Sequence, residues 1–136
     1  MFILIRPEGI AGKSEDSHCI ALMAWCALNI KTYPQLKWLA HIPNGGARDL
    51  REGTKFKAIG VKRGFPDYIL PLPIQTSWGH QYAGLFLEIK VGKNKTSSEQ
   101  KECLAYLVSV GYCCYVCYGW EEAKNRIIEY FNLMKG

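Results

Sequence analysis

Apolar residues recur along the chain in stretches that predict four helices. These stretches cover residues 18–30, 47–59, 96–110 and 120–134. The first is preceded by Ser14-Glu15-Asp16-Ser17, which offers several helix N-cap residues. The second is basic and weakly amphipathic, and Gly60 fits its C-terminal end.

Shorter apolar runs between these helices predict four strands, over residues 36–43, 67–72, 84–91 and 112–118. Pro71 and Pro73 indicate that the second strand ends early or lies at a sheet edge. The third and fourth strands flank a helix, so they should form a right-handed parallel crossover, while the second and third can pair antiparallel. The expected fold class is therefore α/β, with a mixed β-sheet flanked by helices.

The composition is that of a globular protein, with 136 residues of which 49% are hydrophobic and 21% charged. We expect a single domain over residues 1–136, with a core over about 14–134. The net charge of +5 is compatible with a nucleic-acid partner but does not require one. The N-terminal "MFILI" is too short to span a membrane and no signal-peptide pattern follows it. We therefore expect an intracellular protein, in the cytoplasm of a bacterium or of a phage-infected cell.

The six cysteines agree with a reducing compartment, because most lie inside apolar runs and nothing indicates a secreted disulfide framework. Cys114-Tyr-Val-Cys117 is formally a C-x-x-C motif. On a strand these two positions face opposite sides, so their thiols would not converge on one metal. Buried free thiols are the favoured interpretation, and a structural metal site using Cys113, Cys114 and Cys117 is the alternative.

Two charged residues, Glu88 and Lys90, interrupt the otherwise hydrophobic strand "GLFLEIKV". Residues two apart on a strand share a face, so both side chains point to the same side of the sheet. Ionised groups are costly to bury without partners, which leaves an exposed ion pair or a functional site as explanations. The same E-x-K spacing recurs at Glu99 and Glu122, but on predicted helices, where solvated surface charges are expected.

Asp67 favours the functional explanation. It follows Pro66 at the start of the preceding strand, where its carboxylate can stand beside Glu88, although a turn residue is its ordinary interpretation. Neighbouring carboxylates repel each other unless a cation lies between them, and Mg²⁺ suits such a pair. Such a metal lowers the pKa of a bound water and offsets charge on a scissile phosphate. Lys90 could orient or deprotonate that water, or stabilise the transition state. The residues thus predict metal-assisted phosphodiester hydrolysis.

Pro66-Asp67 followed by Glu88-Ile89-Lys90 resembles the motif of the PD-(D/E)xK nuclease superfamily. The segments "HIPNGGARDLREGTKFKAIGVKRGFPDYIL", "GLFLEIKVGKNKTSSEQ" and "GYCCYVCYGWEEA" look like its VRR-NUC (virus-type replication-repair nuclease) family, and the likeness runs from about Glu15 to Phe131. The resemblance implies a restriction-endonuclease-like core and a Mg²⁺- or Mn²⁺-dependent DNA endonuclease. His18, Gly53 and Tyr68 depart from the usual glutamine, alanine and leucine of relatives.

The resemblance implies a catalytic and metal-binding set made of Asp67, Glu88, the Ile89 backbone carbonyl and Lys90. It adds Glu15, the acidic residue of the first helix, as a candidate further ligand, where the residues alone indicate a charge that complements the helix dipole. It also adds Gln100 from the helix after the motif. Gln100 can alternatively form a capping box with Ser97, and Thr96 with Glu99 offers a second box.

The candidate DNA contacts are polar or basic residues around this motif: Asn44, Arg48, Arg51, Lys55, Lys57, Lys62, Arg63, Lys93, Asn94 and Lys95. Phosphate contacts of this kind give affinity and salt dependence without reading sequence, so cleavage directed by DNA structure is favoured. The resemblance alone implies a homodimer acting on branched DNA such as four-way junctions, whose two-fold symmetry a dimer can match.

Two questions remain open from the sequence. The tryptophans Trp25, Trp38, Trp78 and Trp120 are candidates for a dimer interface and equally for the core. The alternative function is a non-catalytic DNA-binding module that retains the nuclease fold. The intact set of Asp67, Glu88 and Lys90 argues against that module, because without catalysis there is no reason to keep buried charges.

Overall fold

The computed structural model describes residues 14–43 and 50–134 and, for residues 50–53, the backbone alone. Its elements are α1 (Glu15–Asn29), a 3₁₀-helix (Pro34–Trp38), β1 (Ala40–His41), α2 (Leu50–Ala58), β2 (Tyr68–Leu70), β3 (Ile74–Gln75), β4 (Gln81–Tyr82), β5 (Leu85–Lys90), α3 (Ser98–Ser109), β6 (Cys113–Tyr118) and α4 (Trp120–Asn132). The predicted turn at residues 44–46 and the predicted start of the second helix lie outside the described residues.

Strands β1, β2, β5 and β6 form one mixed sheet in that spatial order. Strand β2 runs antiparallel to β1 and β5, whereas β5 and β6 are parallel and joined through α3. This arrangement confirms the expected α/β class and both expected strand pairings. Strand β2 ends before Pro71, as predicted, but lies inside the sheet because the proline follows the last paired residue.

Two segments differ from the sequence prediction. Residues 34–38 form a 3₁₀-helix instead of the start of a strand, because Pro34 has no N–H and its fixed φ suits a first helical turn. The segment between β2 and β5, predicted as an irregular polar connection, contains the β3–β4 hairpin. Its tip is closed by buried Thr76, whose hydroxyl accepts a hydrogen bond from the His80 N–H at 3.0 Å.

The core lies between one face of the sheet and helices α1 and α4. Leu85, Leu87 and Ile89 on alternate positions of β5 are fully buried there, as strand periodicity predicts. Trp25 and Trp120 belong to this core, while Trp38 and Trp78 are exposed. Helix α3 packs along β6, and no helix in the described ranges is long and apolar enough to cross a membrane.

The loop between α2 and β2 touches the start of α3 through Gly64. This glycine has a φ of +92°, and a Cβ built on it would lie 2.5 Å from the Glu99 carbonyl oxygen. The loop can approach the helix this closely only because the residue has no side chain. The contact holds the neighbouring Lys62 and Arg63 near the first turn of α3.

We expect Gly64→Ala to lower the free energy of unfolding by at least about 2 kcal/mol, because alanine meets both an unfavourable φ and the Glu99 carbonyl. Gly79→Ala is the matched control. Gly79 has a similar φ of +87° with no atom within 4 Å of an added Cβ, so this variant should lose only about 1 kcal/mol. Urea denaturation measures the free energy of unfolding of both variants. An equal decrease in the two would contradict a specific clash at Gly64.

Candidate metal and catalytic site

The predicted site residues meet where β5 and β6 end and β2 begins. This edge of the sheet is made of strand ends and is not an outermost strand. Tyr68 pairs with Leu87, so the antiparallel register brings Asp67 opposite Glu88. Helices α3 and α4 begin at this edge, and the side chain of His18 in α1 reaches it. Gln100 of α3 contacts Glu88, and α4 starts directly after β6. Helix N-termini carry partial positive charge, so this edge favours anionic groups.

The Asp67 side chain is oriented by the backbone of the neighbouring strand. The N–H of Ile89 donates a hydrogen bond to Asp67 Oδ2 at 2.7 Å. The Asp67 carbonyl accepts from the Ile42 N–H, also at 2.7 Å, which fixes the residue from its other side. Asp67 is half-buried, and its carboxyl group is therefore held next to the charged positions of β5.

The Glu88 carboxyl group is buried, with only 2% of the residue exposed. Its Oε2 accepts a hydrogen bond from Gln100 Nε2 at 2.8 Å. Among the described residues, its Oε1 finds no hydrogen-bond partner. A buried acceptor without a partner is costly, and a bound cation is one group that would satisfy it. This oxygen fits the requirement of a divalent metal for carboxylate ligands.

Burial raises the pKa of Glu88 from 4.5 to about 8, and the negative charge of Asp67 adds to the shift while Lys90 opposes it. A proton on Glu88 can also be shared with Asp67 by a hydrogen bond. With both groups ionised, two carboxylates face each other without a donor between them. The pair therefore favours either a proton or a cation.

Lys90 lies beside Glu88, as the strand periodicity predicts. Its Nζ is 3.7 Å from Glu88 Oε2, and its side chain is only 9% exposed. The pair is therefore not the exposed ion pair that local sequence also allowed. A charged amine this close to a carboxylate and at the end of the strand can act on a phosphate bound at the same edge.

Gln100 serves two purposes at once. Its Oε1 accepts from the Ser97 N–H at 2.8 Å while its own N–H donates to Ser97 Oγ at 3.2 Å, which completes a capping box. Its Nε2 donates to Glu88. The capping box and the contact with Glu88 were predicted as alternatives, and both are present. The box begins at Ser97 and not at Thr96.

The candidate third ligand, Glu15, lies in the first turn of α1 and is half-buried. Its charge acts on Glu88 as the smallest of the influences that shift the Glu88 pKa. Residues 14–43 and 50–134 contain no group of three or more His, Cys, Asp or Glu side chains suited to hold a metal. The structure thus brings Asp67 and Glu88 together without Glu15.

The cysteines, like Glu15, do not belong to a metal-holding group in the described residues. All six are free thiols, and within the described residues Cys113, Cys114 and Cys117 do not form a group suited to hold a metal. Cys113 and Cys117 are buried on the core face of β6. Burial raises the pKa of Cys114 and Cys117 to about 12, which is the behaviour of structural thiols.

The other E-x-K pairs differ from each other. Glu99 is exposed as expected for a surface charge. Glu122 is not simply solvated, because its Oε2 accepts from the Tyr118 N–H at 3.0 Å. Lys124 lies 5.4 Å from the centre of the Trp120 ring. Both residues are half-buried, so this pair is only partly solvated, because the start of α4 folds back against the end of β6.

Sequence reasoning missed the structural role of His18. Its Nδ1 accepts a hydrogen bond from the Trp120 N–H at 3.0 Å, which caps α4 from another helix. Gly119 at the N-cap position of α4 has no side chain that could do this. No local sequence signal marks this contact, because His18 and Trp120 are 102 residues apart.

The predicted DNA contacts fall into three groups. Lys62 and Arg63 are exposed beside the start of α3, and Lys55 and Lys57 are exposed in the last turn of α2. The third group, Lys93, Asn94 and Lys95, is exposed on the loop that leaves β5. Asn44, Arg48 and the side chain of Arg51 lie outside the described part of the structure.

One solved structure provides an informative comparison. A protein described as "VRR_NUC domain protein" has 30% sequence identity to this chain and a TM-score of 0.73. The match covers 91% of this chain and 93% of that chain. No protein-family model matches the chain, and no curated protein matches it.

We expect Glu88→Gln to raise the free energy of unfolding at pH 8, with chelator present, by about 1–3 kcal/mol. The unfolded chain releases the Glu88 proton near pH 4.5, whereas the folded protein keeps it until about pH 8. Wild-type stability therefore falls as pH rises through this window, and glutamine avoids that loss.

The gain should be absent near pH 4 and grow towards pH 8 in urea denaturation. Glu102→Gln, on the exposed side of α3, is the control and should change stability little. A gain at Glu88 that is the same at both pH values would show that buried charge is not its cause.

Proposed function

The chain belongs to the VRR-NUC family, and on that premise we propose that it is a divalent-metal-dependent endonuclease that selects DNA by structure. Four-way junctions and other branched DNA are the proposed substrates. The observation that carries the proposal is Glu88 Oε1, a buried carboxylate oxygen that accepts no hydrogen bond from the described residues and belongs to a group facing Asp67. A DNA-binding module without catalysis would be more stable with an apolar residue there, which favours an enzyme over that alternative.

Asp67, Glu88 and the Ile89 carbonyl are the proposed ligands of one Mg²⁺ or Mn²⁺ ion. A cation there would supply a Lewis acid that offsets charge on the scissile phosphate and makes an attacking water more acidic. The protein prepares the site by orienting both carboxyl groups. The Ile89 N–H holds Asp67 Oδ2, and Gln100 holds Glu88 Oε2, so that each carboxyl has one oxygen fixed.

Lys90 is the proposed catalytic lysine. Its amine lies next to Glu88 Oε2 at the end of β5, where a phosphate held by the same edge would meet it. It would orient the attacking water or stabilise negative charge on the phosphate in the transition state. Gln100 acts through Glu88 and is a positioning residue.

The proposed DNA surface is the set of exposed cations around this edge. Lys62 and Arg63 stand on one loop beside α3, and Lys93 and Lys95 on the loop after β5. These side chains would contact phosphates and contribute a salt-dependent affinity that is independent of sequence. Such contacts support selection by shape, because contacts to phosphates carry no sequence information.

We expect the protein to cleave a four-way junction in Mg²⁺ or Mn²⁺ and to lose all cleavage in chelator. Lys90→Ala should lower the rate about 10²- to 10⁴-fold, because it removes a group that acts on the reacting phosphate or water. It should retain DNA binding. Lys101→Ala is the matched control, since Lys101 ends another E-x-K and is exposed on α3.

Four results would contradict the proposal. Cleavage that survives chelator, or an Asp67→Ala variant as active as wild type, would remove the metal mechanism. Equal cleavage rates on a junction and on a linear duplex of the same sequence would contradict the proposed structural selectivity. Binding without any cleavage would support the non-catalytic module instead.

A homodimer is also proposed, and an exposed apolar stripe on α1 supports it. Ile20, Met23, Ala27 and Ile30 recur at helical spacing and are exposed. Ile20 and Met23 line an open groove of about 360 Å³ together with His41 and Tyr68. A surface of this kind commonly forms protein contacts.

Light scattering should give twice the 15.4 kDa chain mass. Ile20→Glu combined with Met23→Glu should reduce it to one chain, because charged residues oppose burial of the stripe. Ile59→Glu is the control at another exposed isoleucine, which lies outside α1. A wild-type protein that is monomeric at all concentrations would exclude the dimer.

A further inference from the structure

An aromatic side chain that the proposed hydrolysis does not use stands beside Lys90. Tyr118 is the last residue of β6 and pairs directly with Lys90 at the end of β5. Paired residues of neighbouring strands point to the same side of a sheet. Tyr118 therefore lies on the face that carries Glu88 and Lys90, and it is 47% exposed whereas Lys90 is buried.

Hydrogen bonds fix Tyr118 without covering its ring. The phenol donates to the Asn94 carbonyl at 2.9 Å, and the Tyr118 N–H donates to Glu122 Oε2 at 3.0 Å. The first bond ties the ring to the loop that leaves β5. In the second bond, the negatively charged carboxylate of Glu122 accepts from a backbone N–H. The ring is thus held in one place with much of its surface open to solvent.

The residues on either side of Asn94 add positive charge next to this ring. Lys93 and Lys95 are both exposed, on the loop to which the phenol is bonded. An exposed aromatic ring combined with lysines that can contact phosphates is the arrangement by which proteins bind unpaired nucleotides. This arrangement lies one strand away from the proposed catalytic lysine.

We propose that Tyr118 is a stacking platform for an unpaired base next to the scissile phosphate, and that it is a determinant of the structural selectivity. This inference rests on the proposed function. Bases in continuous duplex are already stacked on both sides, whereas a base at a branch is released at lower cost. Every base has a π-face, so the contact selects unpaired DNA without selecting sequence.

The test compares a four-way junction with a linear duplex of the same sequence, each carrying 2-aminopurine at the position of the branch. Binding is measured by fluorescence anisotropy in chelator at fixed salt, so that it does not depend on turnover. Tyr118→Leu should weaken junction binding about 5- to 150-fold, the effect of one base–aromatic stack. It should leave duplex binding unchanged and abolish the quenching of 2-aminopurine in the junction.

Three variants separate stacking from other effects. Tyr118→Phe keeps the ring and loses only the bond to Asn94, so it should retain junction affinity and quenching. Tyr118→Trp should bind at least as tightly as wild type. Tyr106→Leu removes a second exposed tyrosine, which lies on α3. It should leave the binding of both the junction and the duplex unchanged.

Junction binding by Tyr118→Leu that equals wild type, or a Tyr118→Phe variant as weak as Tyr118→Leu, would overturn the inference. An equal loss on junction and duplex would overturn it as well. If the wild type shows the expected stacking but never cuts DNA in Mg²⁺ or Mn²⁺, hydrolysis is wrong and the platform stands. If Tyr118→Leu cuts junctions with an unchanged KM, the platform is wrong and hydrolysis stands.

Discussion

The desolvated carboxyl group of Glu88 is the constraint around which this end of the molecule is organised. A carboxyl group at 2% exposure must be given partners, and each partner comes from a different element. Pairing of β2 with β5 supplies Asp67, α3 supplies Gln100, and β5 itself supplies Lys90. Within residues 14–43 and 50–134, one oxygen is still left without a hydrogen bond. The fold thus accepts a local loss of stability in a place where catalysis would use it.

Secondary structure and site are coupled through single side chains. Gln100 closes the capping box of α3 with one end of its amide and holds Glu88 with the other. His18 similarly joins α1 to the first turn of α4, next to the strand ends. Rearranging either helix start would therefore alter the site, so the positions of the helices and the geometry of the carboxyl groups are set together.

The sequence predicted what depends on local pattern. Alternation on β5 separated its hydrophobic face from its charged face, and the expected antiparallel pairing with β2 places Asp67 opposite Glu88. Contacts between distant segments could not be read in this way. The partners of Glu122 and Lys124, the cap by His18 and the exposure of Tyr118 depend on how α4 folds against β6. Periodicity within one element carries no information on such contacts.

The β3–β4 hairpin has a consequence for how this fold can diversify. It leaves the sheet after Leu70 and returns before Leu85, and these two residues pair at the end of the strands farthest from Asp67 and Glu88. Changes in its length would therefore leave the β2–β5 register intact. The exposed tip of the hairpin around Trp78 is therefore a place where sequence can be inserted, whereas the buried Ile74 and Thr76 tie the rest of the hairpin to the protein.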